Sequence, residues 1–144
     1  MTRKKIITSV ALLLAVSLGL AVNLSPASAD LGSGPPIDCY TKEFYDSKGN
    51  RYGQSCFQWY GDDQWVNDST RNGRRVGVDI QTNYGKYRRC ENTHGGSTWH
   101  RCYFDHKESG CVRFRGYEYD SSTSQYYNVT SWTSWRKVST GGAC

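Results

Sequence analysis

Three observations predict an all-β fold, a small antiparallel β-sandwich or barrel stapled by three disulfides and led by an extended N-terminal arm. Beyond residue 29 the chain holds one Leu, two Ile, six Val and no Met, against four Phe, five Trp and eleven Tyr. Such side chains suit a pleated surface and cannot pack a helical bundle or a cytosolic α/β enzyme. All six cysteines, at 39, 56, 90, 102, 111 and 144, fall in that same stretch. An even count in an exported chain reads as a disulfide framework. Short strand-like runs cut by turn signals complete the pattern.

The first element is an export signal over residues 1–29. Arg3, Lys4 and Lys5 give the positive start, Ile6 to Val22 the apolar run, and Ala27-Ser28-Ala29 the small residues a signal peptidase reads. Cleavage before Asp30 leaves 115 residues with 15 basic and 13 acidic groups, so the formal charge falls from +5 to +2. No second apolar stretch follows, and the released chain is expected to be secreted, extracellular and free of the membrane.

Residues 30–38, reading DLGSGPPID, have two glycines and a Pro-Pro pair, with only Leu31 and Ile37 to bury. That composition predicts a flexible arm held at its base by Cys39. Residues 39–144 form one disulfide-stapled β domain, a length that suits a single core. Within it, Tyr40 to Tyr45 and Arg51 to Tyr60 flank the turn Ser47-Lys48-Gly49-Asn50, and Gly61-Asp62-Asp63 closes the second run. After the Asn72-Gly73 turn, Val76, Val78 and Ile80 alternate with Gly77, Asp79 and Gln81, marking the central core strand. Lys86 to Glu91 and Ser97 to Phe104 read as a hairpin about His94-Gly95-Gly96. Cys111 to Tyr119, Gln125 to Val129 and Trp132 to Val138 supply the remaining strands. Sequence-adjacent pairing of the cysteines, 39 with 56, 90 with 102 and 111 with 144, would staple two hairpins and tie down the C-terminus. Each bridge adds ~2–4 kcal/mol, which matters where only nine aliphatic side chains are present.

Catalytic and metal chemistry has a thin basis. His94, His100 and His106 gather around Cys90 and Cys102, but oxidised cysteines ligate nothing and the histidine spacing spreads the rings across a turn. No metal and no cofactor is expected. Glu91, His94, Arg88, Arg89 and Arg101 are the residue types of a small secreted ribonuclease, without a spacing that fixes their geometry. No Gly-x-Ser-x-Gly elbow and no distinctive carboxylate pair is present, and a non-enzymatic protein is the leading expectation.

Contact chemistry is better represented. Tyr87-Arg88-Arg89, Trp99-His100-Arg101-Cys102-Tyr103 and Arg113-Phe114-Arg115-Gly116-Tyr117 interleave cations with rings. Regular strand geometry puts Arg113, Arg115, Tyr117 and Tyr119 on one face. A charge of +2 argues against nucleic acid and favours cation and ring packing. Twenty aromatics exceed what this core needs. Trp59, Tyr60 and Trp65, beside the Asp62-Asp63 turn, are the expected exposed contact residues, with Tyr126, Tyr127, Trp132 and Trp135 as a second group. Leu31, Pro35, Pro36 and Ile37 are the expected contact residues of the arm.

In architecture, the signal ending Ala27-Ser28-Ala29, the Gly/Pro arm over 30–38 and the single cysteine-stapled β domain reaching Cys144, the chain resembles the small secreted adaptor subunit of the actinobacterial umbrella toxin particles. That resemblance implies a non-enzymatic adaptor joining a lectin-bearing subunit to the stalk of a large toxin subunit, the arm entering a cleft of the lectin-bearing partner. A protein-binding module, adaptor or inhibitor, is therefore the first expectation. A carbohydrate-binding module or lectin is the second, and a ribonuclease the third.

Overall fold

The computed structural model describes residues 34–144. The expected signal, and the arm as far as residue 33 with Leu31 in it, lie outside the described residues. The described chain is all β, with nine strands and no helix: β1 (Tyr40–Tyr45), β2 (Arg51–Gln58), β3 (Asp63–Asp68), β4 (Arg75–Thr82), β5 (Tyr87–Glu91), β6 (Thr98–Cys102), β7 (Cys111–Asp120), β8 (Gln125–Tyr127) and β9 (Arg136–Lys137). They form two antiparallel sheets, one ordered β1-β2-β3-β6 and the other β5-β4-β7-β8 with β9 also on β7. The two sheets bury one core, so the sandwich expected from the sequence is the fold.

Strand alternation fills that core. Val76, Val78 and Ile80 of β4, Val112 and Phe114 of β7, Phe44 of β1, Phe57 of β2 and Val66 of β3 are all fully buried. The turn Asn72-Gly73 precedes β4 as expected, and the Val-x-Val-x-Ile phase sets the inward face.

All three disulfides pair as the spacing suggested, Cys39–Cys56, Cys90–Cys102 and Cys111–Cys144. Such bonds persist in oxidising compartments. The second does not staple a hairpin. β5 pairs with β4 in one sheet and β6 with β3 in the other, so the segment through His94 crosses between sheets and Cys90–Cys102 joins them. Cys90 is itself buried, and a cross-link through the core replaces aliphatic contacts the composition lacks.

Two further departures concern strands. β3 occupies residues the sequence pattern left unassigned, and Gly61-Asp62-Asp63 leads straight into it. It is a central strand whose Asp63, Gln64 and Asp68 are buried. Local partners pay for that burial: Gln64 Nε2 donates to Ser55 Oγ at 2.6 Å, and Asp68 Oδ1 accepts from the Thr70 amide at 2.9 Å. Of the stretch Trp132 to Val138, only Arg136–Lys137 is a strand. The chain before it still runs beside β7, where Thr130 and Thr133 hydroxyls accept from the Gly116 and Phe114 amides at 2.9 and 3.1 Å. Side-chain oxygens thus take the place of ladder carbonyls along this edge.

Candidate functional site

The outward residues of β4, β5 and β7 fall into three rows across the second sheet. Register places Gln81 between Tyr87 and Arg113, Asp79 between Arg89 and Arg115, and Gly77 between Glu91 and Tyr117. Asp79 organises the middle row. Its Oδ1 accepts from Arg89 Nε and Nη2 at 3.2 and 3.0 Å, and its Oδ2 from Arg115 Nε and Nη2, both at 3.1 Å. Two bidentate forks thereby fix both guanidiniums beside one carboxylate that is only 4% exposed.

Aromatic rings wall this row. Gly77 has no side chain, and the Tyr117 ring lies over it so closely that a Cβ there would sit 2.5 Å from Cζ. Tyr117 Oη donates to Glu91 Oε1 at 2.8 Å, and burial pushes its phenol upward, so it stays protonated. Arg89 stands over the Tyr117 and Tyr126 rings at 5.2 and 5.1 Å and donates from Nη1 to Tyr126 Oη at 2.5 Å. Arg115 lies 4.7 Å from the Trp132 ring, and Arg113 lies between Trp132 and Trp135 at 5.0 and 4.6 Å with Gln81 Oε1 holding its guanidinium. Among these groups a cavity of about 260 Å³ opens, lined by Asp79, Tyr87, Arg89, Arg115, Tyr117, Tyr126 and Val129. Tyr87 and Tyr126 are half exposed at its rim.

The expected contact residues around the first turn divide. Tyr60 is 83% exposed, as anticipated. Trp59 is half-buried, packed on the core and tight against Gly141 of the C-terminal segment. Trp65 is not exposed: it retains 5% of its surface, because the Arg101 guanidinium lies 5.2 Å over its ring and its Nε1 donates to Gln58 Oε1 at 2.9 Å. In the arm, Pro35 is half-buried, Pro36 exposed and Ile37 fully exposed, while Gly34 passes against the Trp99 ring on the outward side of β6. A bond of 3.1 Å from the Cys39 amide to the Ile37 carbonyl turns the arm into β1.

The residue set of the ribonuclease expectation is divided between the sheets. Glu91 and Arg89 face outward on the second sheet, whereas Arg101 pairs with Asp63 in the first. His94 and His100 approach each other at 5.2 Å. Cys90, His100 and Cys102 place ligand-type atoms within 4.8 Å, but both sulfurs are spent on their mutual disulfide.

The site residues that sequence reasoning passed over are Asp79 and Gly77, read only as the outward face of the core strand. The signal was present in the β4 phase, which puts a lone carboxylate and a glycine outward between two arginine-bearing strands. No family model matches the chain, and neither a curated protein nor a solved structure matches it.

Proposed function

We propose that the exported chain is a secreted, non-enzymatic binding module that works as an adaptor, holding one protein partner by its N-terminal arm and a second partner by the opposite face. The carrying observation is the separation of the two surfaces. The arm, with Ile37 fully exposed, leaves along the outward side of the first sheet beside Trp99, while the guanidinium and aromatic rows cover the outward side of the second. A segment with a Pro-Pro pair and an exposed aliphatic anchor suits a partner's groove, since little chain entropy is lost on docking. This agrees with the adaptor of a secreted toxin complex that the architecture resembles, a lectin-bearing subunit taking the arm and a large toxin subunit the other side.

The test is deletion of residues 30–37, which removes no cysteine and, among the described residues 34–37, no buried side chain. Thermal stability is expected to change little, and co-purification of the arm's partner from culture supernatant to be lost. Unchanged partner recovery would sink the arm as ligand. Carbohydrate recognition is the second reading, and the concave, tyrosine-walled cavity is the observation in its favour.

A further inference from the structure

We infer that the cavity over Asp79 is a binding site for a carboxylate-bearing sugar ring, a hexuronic acid residue of an acidic polysaccharide. The inference rests on the reading of this sheet face as a contact surface and adds the chemistry it would recognise.

Hydrogen-bond accounting sets the polarity of the ligand. The one carboxylate lining the cavity has both oxygens saturated, each by two N–H groups of one arginine. Asp79 is therefore spent on orienting the forks and offers a ligand no acceptor. Donors remain. Arg115 Nη1 takes no part in the bonds to Asp79, and Arg89 Nη1 keeps one N–H beyond the bond to Tyr126. Burial and then a hydrogen bond with Asp79 push the Tyr87 phenol upward, so it stays protonated and belongs to the Asp79 network rather than to the donors left over. A ligand that fits must bring acceptors.

Charge sharpens the choice. Arg89 and Arg115 outweigh Asp79 in the lining, and Arg113 adds a third guanidinium held by neutral Gln81. Glu91 lies beyond Tyr117 and accepts that residue's hydroxyl. The cavity itself is cationic, and an anion exchanges its hydration for the guanidinium N–H groups that Asp79 leaves over, on side chains already locked in place.

Shape and walls select the rest of the molecule. At about 260 Å³ the cavity is smaller than the ~300–1,000 Å³ of drug-sized pockets, a scale suited to one ring. Tyr87, Tyr117, Tyr126 and Val129 offer ring faces and a methyl pair, which suit the C–H face of a pyranose. A bare phosphate or acetate would leave that apolar wall unused. A neutral hexose would leave the guanidinium donors without a charged acceptor.

The test is a titration of the mature protein, followed by amide chemical shifts, with D-glucuronate, trigalacturonate, D-glucose, acetate and inorganic phosphate. Glucuronate or trigalacturonate is expected to shift amides of β4, β5 and β7. Glucose, acetate and phosphate are each expected to bind at least about tenfold more weakly, the loss of one charged hydrogen bond or of the ring contact. Arg115→Gln should weaken uronate binding about tenfold or more. Tyr87→Ala, in a half-exposed side chain, should do the same and serves if the arginine variant is unfolded. No shift with either uronate at about 20 mM, four decades above a micromolar Kd, overturns the site. So does acetate or phosphate binding as tightly as glucuronate, which marks an anion site without sugar recognition. The titration uses the isolated chain, so a negative result leaves the arm-dependent co-purification standing, and the converse also holds.

Discussion

Each sheet of the sandwich carries on its outward side a guanidinium tied to a buried carboxylate and laid over an aromatic ring, but the two arrangements end differently. On the first sheet Arg101 pairs with Asp63 and lies 5.2 Å over Trp65, leaving the arginine 26% and the tryptophan 5% exposed. One carboxylate holds one guanidinium, which covers the Trp65 ring and reaches the exposed Tyr103 ring at 4.4 Å, so that Trp65 is sealed beneath it. On the second sheet a single Asp79 serves two arginines, which remain 42% and 33% exposed above rings that do not fill the space between them. The same residue types therefore build a sealed support in one place and a furnished cavity in the other. The ratio of cations to carboxylates, and the glycine at 77 that lets Tyr117 lie flat, make the difference.

The largest expected effect breaks the connection between these two sheets. Replacing Cys90 and Cys102 together by serine removes the bond that crosses the core and places hydroxyls where a buried sulfur pair stood. A loss of about 2–5 kcal/mol is expected by chemical denaturation. Cys39 and Cys56 close a comparable span, 17 residues apart against 12, within one sheet. Chain entropy alone makes the two replacements nearly equal. A clearly larger loss for the 90–102 pair would show that the sheets depend on their link, and equal losses would show that hydrophobic packing alone holds them together.

The sequence disclosed the sheet-forming character, the central β4 phase and the cysteine pairing, because each rests on local pattern. Val76, Val78 and Ile80 alternate plainly, and each cysteine pairs with its neighbour in sequence. β3 was illegible for a physical reason: Asp63, Gln64 and Asp68 are polar yet buried, and the partners that stabilise them come from β2, β6 and a following turn. Hydrophobic periodicity reports inward residues only when they are apolar. The hairpin expected between β5 and β6 failed for a related reason, since nothing local tells a turn within a sheet from a crossing between sheets. Of the candidate site, the arginine and tyrosine face of β7 was readable. The closure of Trp65 under Arg101 and the joining of β5 to that face were tertiary facts.

A second prediction uses pH to load the closed side. His106, after β6, is 4% exposed between the Phe57 and Phe104 rings, and burial, with Arg88 and Lys86 nearby, lowers it to about 4. The folded state then holds this imidazole neutral while the unfolded chain protonates near 6.5, so its contribution to stability falls as pH drops from about 6.5 towards 4. Between pH 7 and pH 5 the loss amounts to about 2 kcal/mol. Asp62 and Asp68 act the other way. Burial raises both, so each is relieved by acid as pH falls through its folded value. His106→Gln should therefore flatten the decline in thermal midpoint between pH 7 and pH 5. Parallel curves for variant and parent would remove His106 from the account.

The smallest expected effect compares the two arginines directly. Arg101→Gln leaves Asp63, whose side chain is 1% exposed, without its ion pair and uncovers the Trp65 ring. Because Arg101 is itself a quarter exposed, the cost is discounted from that of a fully buried pair to about 1–2 kcal/mol. Arg115→Gln leaves Asp79 still held by two N–H groups of Arg89, and the lost partner is one-third exposed, so less than about 1 kcal/mol is expected. Tryptophan emission separates the cases further. Arg101→Gln should move it to longer wavelength as Trp65 meets water, whereas Arg115→Gln acts beside Trp132 and leaves Trp65 covered. Equal costs in the two variants would mean that Asp63 finds a substitute for Arg101. The contrast between a closed and an open face would then rest on the rings alone, because the carboxylates would no longer distinguish them.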